Sequence, residues 1–295
     1  MNNELYIGGK EYQIRNGLVR LLRLRNEFID DVSDPQSVVS EIRTRVLPVD
    51  LLTFLQLPPD SVPKFSYRMH WDNLAVLQIS TYEHWLKGQI HPNTRNKIRK
   101  AEKKGVVIRL EPFTDYLAAG MVELFNESAV RRGRRYEYYG WDLEKVREGW
   151  ATELERSVFL VARYEETFIG FIKLVVGDHL ARTSGTIAKE AHRDKAPMSA
   201  LFARSVELCA ERGIPQLIYG HFTYGARGED SLTDFKRNHG FQKVTVPRYY
   251  VPLSTRGCIG LSLGLHRSVS DLIPEPALRF LLQLRARWHH TVTRH

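Results

Sequence analysis

The stretch from Phe159 to Leu253 constrains the fold more than any other part of the chain. Three apolar runs, Phe159 to Tyr164, Thr167 to Val176 and Leu180 to Ile187, follow one another closely, with Glu165-Glu166 as the turn between the first two. Runs of this length and spacing predict an antiparallel meander. Pro197 then opens a helix whose buried stripe is Met198, Leu201, Phe202, Val206 and Cys209, ending at Arg212-Gly213. Gln216 to Gly220 reads as a further strand, followed by a short helix through DFKRN and a last long strand that ends at Leu253. The order is three strands, helix, strand, short helix, strand.

The preceding residues carry charge in two concentrated blocks. From Lys87 to Arg109 eight basic residues stand against Glu102 alone, and Arg131, Arg132, Arg134 and Arg135 follow. Together the blocks exceed the whole-chain net charge of +9, so the remainder is slightly acidic. That distribution favours a localised anion site over a generally sticky surface. Asn93 to Lys104 reads as a helix stopped by Gly105, with Arg95, Arg99 and Lys103 on one face. It is either a solvated surface helix or one whose charge an anion offsets. Residues 126–142 alternate arginine and tyrosine with little amphipathic order and read as a loop. Arg131, Arg134, Arg135 and Tyr138 would make it a substrate lip, unless the tyrosines simply pack over the core. Thr114 to Glu127 and Leu143 to Leu154 read as helices, and Val106 to Leu110 as a strand.

The N-terminal residues read as α+β. Glu4 to Arg15 forms a hairpin about Gly8-Gly9, Leu18 to Leu24 suits a strand, and Asp34-Pro35 caps a helix to about Arg45. Leu51 to Leu57 suits a strand. Phe65 to Trp71 and Leu74 to Ile79 suit two more, with Asp72-Asn73 as the turn between them. Ser80 and Glu83 fit a capping box for the next helix. After Leu253, a helix from Pro274 to Trp288 either packs back on the domain or lies on an anionic membrane surface.

No apolar run approaches the roughly 20 residues that a membrane span needs. The N-terminus lacks a basic segment followed by an apolar one, so no signal peptide is expected. Cys209 and Cys258 lack metal-type spacing, as do the eleven histidines, and a reducing, cytoplasmic setting is expected with no metal.

Four segments carry a resemblance: TRNKIRKAEKKGV leading into a strand, the hairpin VARYEETFIGFIKL, the helix ending AERGI, and DFKRNHGF before the last strand. The chain resembles the GNAT superfamily, and within it the Fem-type aminoacyltransferases, from about Ser80 to Leu253. The expected fold is α+β with a mixed, splayed sheet. It comprises a small N-terminal region (1–79, room for a truncated first copy at most), a GNAT-like acyltransferase domain (80–253) and a helical C-terminal tail (254–295).

The resemblance implies an N-acyltransferase that binds no permanent cofactor and takes acyl-CoA or aminoacyl-tRNA as co-substrate. The acceptor would be an amine on a small molecule, an amino sugar or peptide-type precursor for envelope or exopolysaccharide synthesis. The family's pyrophosphate loop falls on Arg193 to Met198, with Arg193 and Lys195 as cations, Ala196 in place of glycine and Met198 in place of a small residue. Its FK segment falls on Phe235, near the donor, and Lys236, the cation at the reacting ester. From the residues themselves, His221 at a strand end is a candidate base, with Glu137 and Tyr138 as alternatives. Tyr224 is the candidate donor to the leaving group. The competing reading, from a different class, is an inactive GNAT-like module that binds RNA or another polyanion through the basic helix and the arginine lip.

Overall fold

The computed structural model describes residues 5–131, 134–224 and 230–266. In chain order its strands and helices are β1 (Leu5–Ile7), β2 (Lys10–Arg15), β3 (Leu21–Leu24), α1 (Pro35–Thr44), β4 (Leu51–Leu55), β5 (Arg68–Gln78), α2 (Tyr82–His84), α3 (Pro92–Lys103), β6 (Val106–Glu111) and α4 (Asp115–Phe125). The next are β7 (Val130–Arg131), β8 (Arg134–Arg135), α5 (Leu143–Trp150), β9 (Ser157–Tyr164), β10 (Thr167–Val176), β11 (Leu180–Ala188) and α6 (Pro197–Glu211). The last are β12 (Gln216–Ile218), α7 (Ser231–Asn238), β13 (Gln242–Pro252) and α8 (Thr255–Ser262). They fall into two compact units. Among the described residues, one comprises 5–74, 221–224, 230 and 243–266, the other 75–131, 134–220 and 231–242.

In the first unit the strand order is β1-β2-β3-β4-β13, with the opening half of β5 beside β13. β3 and β4 run parallel, while β4 and β13 run antiparallel. Side chains alternate faces along a strand, so each strand here serves two environments. Leu22, Leu24, Leu52, Phe54, Tyr249 and Val251 point to one face and form a core with Val39 and Ile42 of α1. The opposite face carries Leu21, Arg23, Thr53, Arg248 and Tyr250. α1 starts as the sequence predicts: the Asp34 carboxylate accepts from Gln36 N and Ser37 N, and Pro35 takes the first helical position.

In the second unit the closing half of β5 is followed by β12, β11, β10, β9 and β6. β9, β10 and β11 form the expected antiparallel meander. α4 and α5 bury Leu117, Met121, Phe125, Val146 and Trp150 against Phe159, Val161 and Phe171. α6 begins at Pro197 and buries Leu201, Phe202, Val206 and Cys209 as expected. Burial in this apolar setting pushes the Cys209 thiol up to about 12, consistent with an inert core residue.

Several sequence expectations need correction. Asp72-Asn73 is not a turn but lies within the continuous strand β5. The pair reads as a turn because its residue types favour one, yet both side chains here are tied into long-range hydrogen bonds. Thr81, not Ser80, caps α2, its hydroxyl accepting from His84 N. The 126–142 segment contains the small β7–β8 ladder, and α5 stops at Trp150 rather than Leu154. The expected helix 274–288 lies outside the described residues.

Candidate active site

The second unit contains the splayed sheet. β11 has nine residues, but β12 pairs with only three of them, Leu180, Ala181 and Arg182. Beyond Ile218 the chain turns its hydrogen bonds to the other side, with Tyr219 N donating to Ala75 O. Across the opening, Thr186 Oγ1 and Tyr219 OH lie 2.8 Å apart.

Lys236, on α7, is fully buried, its Nζ 5.0 Å from the centre of the Tyr219 ring. Phe235 is half-buried and stacks on His239 at 3.9 Å, with Phe202 and Tyr219 further round. His239 Nδ1 meets the Phe235 carbonyl at 2.7 Å, so Nδ1 carries the proton. Burial pushes the His239 imidazole down to about 4.

At the expected donor loop, Glu190–Lys195 forms a 3-10 turn and Ala196 adopts φ +54° before α6 starts. That left-handed conformation is one that glycine takes freely and alanine takes with strain. Arg193 is exposed, and Met198 is half-buried. Lys195 lies 4.6 Å from the centre of the Tyr164 ring. Asp194, between the two cations, pairs with Lys104 of the basic α3–β6 turn at 2.8 Å.

The arginines and tyrosine of the expected lip divide. Arg131 donates to Leu124 O, Ala188 O and the Glu127 carboxylate, which pins the segment in place. Tyr138 packs on Phe125 at 5.0 Å and beside Trp141 and Trp150. Burial, with Glu137 alongside, raises its phenol well above the usual range, so it is a neutral packing group. Arg135 and Arg99 are exposed. Arg95 donates to the backbone of Leu86 and Lys87. Arg134 lies in β8.

The first unit holds a cleft of about 660 Å³ on the sheet face opposite the α1 core. His221 and Tyr224, read from sequence as base and proton donor, both line it, their rings 5.6 Å apart. Lys236 belongs to the other unit. Sequence reasoning missed the groups that hold His221. Asp72 Oδ2 lies 3.3 Å from His221 Nε2 and accepts from Arg248 Nε at 2.8 Å. Arg248 grips Glu27 with its other two nitrogens, at 2.8 and 3.1 Å. Asn73 Oδ1 accepts from Thr223 N and so fixes the loop that carries His221.

Burial alone would raise the Asp72 carboxyl. The His221 hydrogen bond and the Arg248 charge outweigh it and hold the group well below the usual carboxylate range. An ionised carboxylate only accepts, so His221 Nε2 carries a proton toward it. His70, Tyr250 and His266 form an aromatic wall, the two imidazoles stacked at 5.5 Å. Among the described residues no three His, Cys, Asp or Glu side chains converge as a metal site, and no helix is long and apolar enough to cross a membrane.

No protein-family model matches the chain, and no curated protein matches it by sequence. Solved structures do match. L-PGS from Bacillus licheniformis superposes with TM-score 0.58 at 16% identity, covering 84% of this chain and 83% of that one. The C-terminal (DUF2156) domain of a protein named as a lysylphosphatidylglycerol synthetase from Agrobacterium fabrum gives 0.59 at 15% identity, covering 88% and 86%. FemX gives 0.51 at 10% identity, covering 88% and 89%. At such identities the likeness is one of fold alone, a fold shared with FemX and the two synthetase structures.

Proposed function

We propose that the chain transfers an acyl or aminoacyl group from an activated donor, acyl-CoA or aminoacyl-tRNA, to an amine. The observation that carries this reading is the parted sheet of the GNAT-like unit, with the buried ammonium of Lys236 against Tyr219 at the parted strand. The neighbour named for lysylphosphatidylglycerol synthesis supports keeping an aminoacyl group among the donors.

The chemistry needs three services. The amine nitrogen attacks the ester or thioester carbonyl carbon, a C–N bond forms, and negative charge develops on the carbonyl oxygen. Lys236 is the cation for that charge, and its burial makes a fixed charge count for more than it would in water. The C–O or C–S bond then breaks, its electron pair leaving with the oxygen or sulfur, which takes up a proton. The amine must lose one. His221, oriented by Asp72 through Nε2, is the base, and Tyr224 is the hydroxyl donor to the leaving group. Arg193 and Lys195 supply charge for the donor's phosphates beside Ala196 and Met198, and the Phe235 ring packs against its planar end. Arg99 and Arg135 are the exposed cations for an anionic substrate. Cell-envelope precursors bearing an amine are the acceptor class to test first.

The test incubates the full chain with each donor type and acceptor pools, and follows donor consumption and product mass. One donor should be consumed with a matching mass gain, and that donor alone should raise the melting temperature. If neither donor is consumed or stabilises the protein, while heterogeneous RNA binds with a steep salt dependence, the reading fails and polyanion binding replaces it.

A further inference from the structure

The first-unit cleft has an end that the base and proton donor do not use. Arg23, Thr53 and Tyr250 sit on three adjacent strands at paired positions, Arg23 opposite Thr53 and Thr53 opposite Tyr250. Paired residues share a face of the sheet, so the three form one row across the cleft floor.

Thr53 is 4% exposed, and its Oγ1 has no hydrogen-bond partner among the described residues. A buried hydroxyl without a partner costs free energy that a ligand atom can recover. Its environment is cationic. The two cleft carboxylates, Glu27 and Asp72, are both held by Arg248. Arg23 keeps only a long contact to Glu27, at 3.8 Å, besides the Gln13 amide oxygen. Arg15, also lining the cleft, is exposed and has no partner among the described residues. The carboxylates are thus spent on Arg248, and donors remain: two guanidinium groups and the Thr53 hydroxyl.

We infer that this row binds an oxyanion, a carboxylate or a phosphate ester, carried by the same molecule that presents its amine to His221. The inference rests on the reading of His221 as the acceptor's base, but oxyanion binding itself requires no transfer. The ligand class is therefore an amine that also bears an anionic oxygen group, with a ring suited to the aromatic wall of His70, Tyr250 and His266.

Direct calorimetric titration of the full chain without any donor tests it. Two probe pairs are used: glucosamine against its phosphate ester, and glycyltyrosine against glycyltyrosinamide. In at least one pair the anionic member should bind about 10-fold more tightly or better, and the gap should shrink as salt is added. The sugar pair reports a phosphate source and the dipeptide pair a carboxylate source. Thr53→Val is nearly isosteric and should cost the anionic probe about 10-fold while leaving its neutral partner unchanged; Arg23→Gln should narrow the same gap. Equal affinities within both pairs, or a gap that survives both substitutions, would overturn the assignment. Because no donor is present, failed transfer with a clear anion gap would condemn the transfer reading alone, and successful transfer with no gap would condemn this inference alone.

Discussion

Arg248→Met is the perturbation that the first unit should feel most. Arg248 is mostly buried and holds two carboxylates, Glu27 at 2.8 and 3.1 Å and Asp72 at 2.8 Å. The three charges lie largely out of water, and the attraction of each such pair is about 4 kcal/mol at an effective dielectric of about 20. Much of that offsets desolvation, so the intact network gives little net stability. Removing the cation alone is different, because it strands Glu27 and Asp72 in the cleft wall. The expected loss is about 3–5 kcal/mol. The double variant Glu27→Gln/Arg248→Met strands one carboxylate fewer and should regain roughly 2 kcal/mol. Native-state hydrogen exchange of the β4 and β13 amides reads the opening free energy of this unit by itself. Asp72 supplies a second signature. Its carboxyl is depressed in the folded chain, so its contribution is complete above the unfolded value of about 3.9 and lost as pH falls through the folded value. Without Arg248 that acid-side loss should shrink. A cost under about 1 kcal/mol, or strict additivity in the double variant, would refute the network argument.

Four further outcomes are expected. Asp72→Asn replaces the carboxylate that accepts from His221 Nε2–H with a neutral amide having one acceptor oxygen; turnover should fall about 10²- to 10⁴-fold with donor binding unchanged, and an equal loss in donor affinity would argue against a role through the base. Lys236→Met keeps an unbranched apolar stem in a buried position; turnover should fall about 10²- to 10³-fold while the donor still stabilises the protein in a thermal melt. His239 is buried and neutral, its folded value about 4 against about 6.5 when unfolded, so the chain should lose about 3 kcal/mol as pH falls from about 6.5 to about 4. His239→Asn, whose side chain does not titrate, should flatten that slope in urea titrations run across the pH range. Gly105 sits at φ +81° and Ala196 at φ +54°, so Gly105→Ala should cost about 1 kcal/mol in melting experiments and Ala196→Gly should be neutral or stabilising by up to about 1 kcal/mol.

What the sequence revealed was local. The Asp34-Pro35 cap, the stop at Gly105 and the stripe on α6 each depend on residues within a few positions of one another, and each falls where its pattern places it. The meander was legible because its strands are long, apolar and closely joined. The cleft was not. Its central ion pairs join Glu27 to Arg248 and Asp72 to Arg248 across most of the chain, and no spacing rule reaches so far. Asp72-Asn73 actively misled, because turn-forming side chains in a strand give the same local signal as a turn. The tyrosines of the arginine-rich segment misled in another way. Tyr136 and Tyr138 lack amphipathic order, yet they cover Phe125 and belong to the core of the second unit. An arginine inside the otherwise apolar strand PRYYV was the one available hint of a buried polar network.

The most direct test of the central claim is single-turnover transfer from each labelled donor to a mixed pool of amine acceptors. Intact chain, Lys236→Met and His221→Gln are compared at saturating donor. Acyl or aminoacyl transfer predicts a new amide in the intact chain's reaction and stoichiometric release of free CoA or uncharged tRNA. Both variants should bind the donor but release product at least about 10²-fold more slowly. Donor consumed at the same rate by all three proteins, or by none, would contradict it.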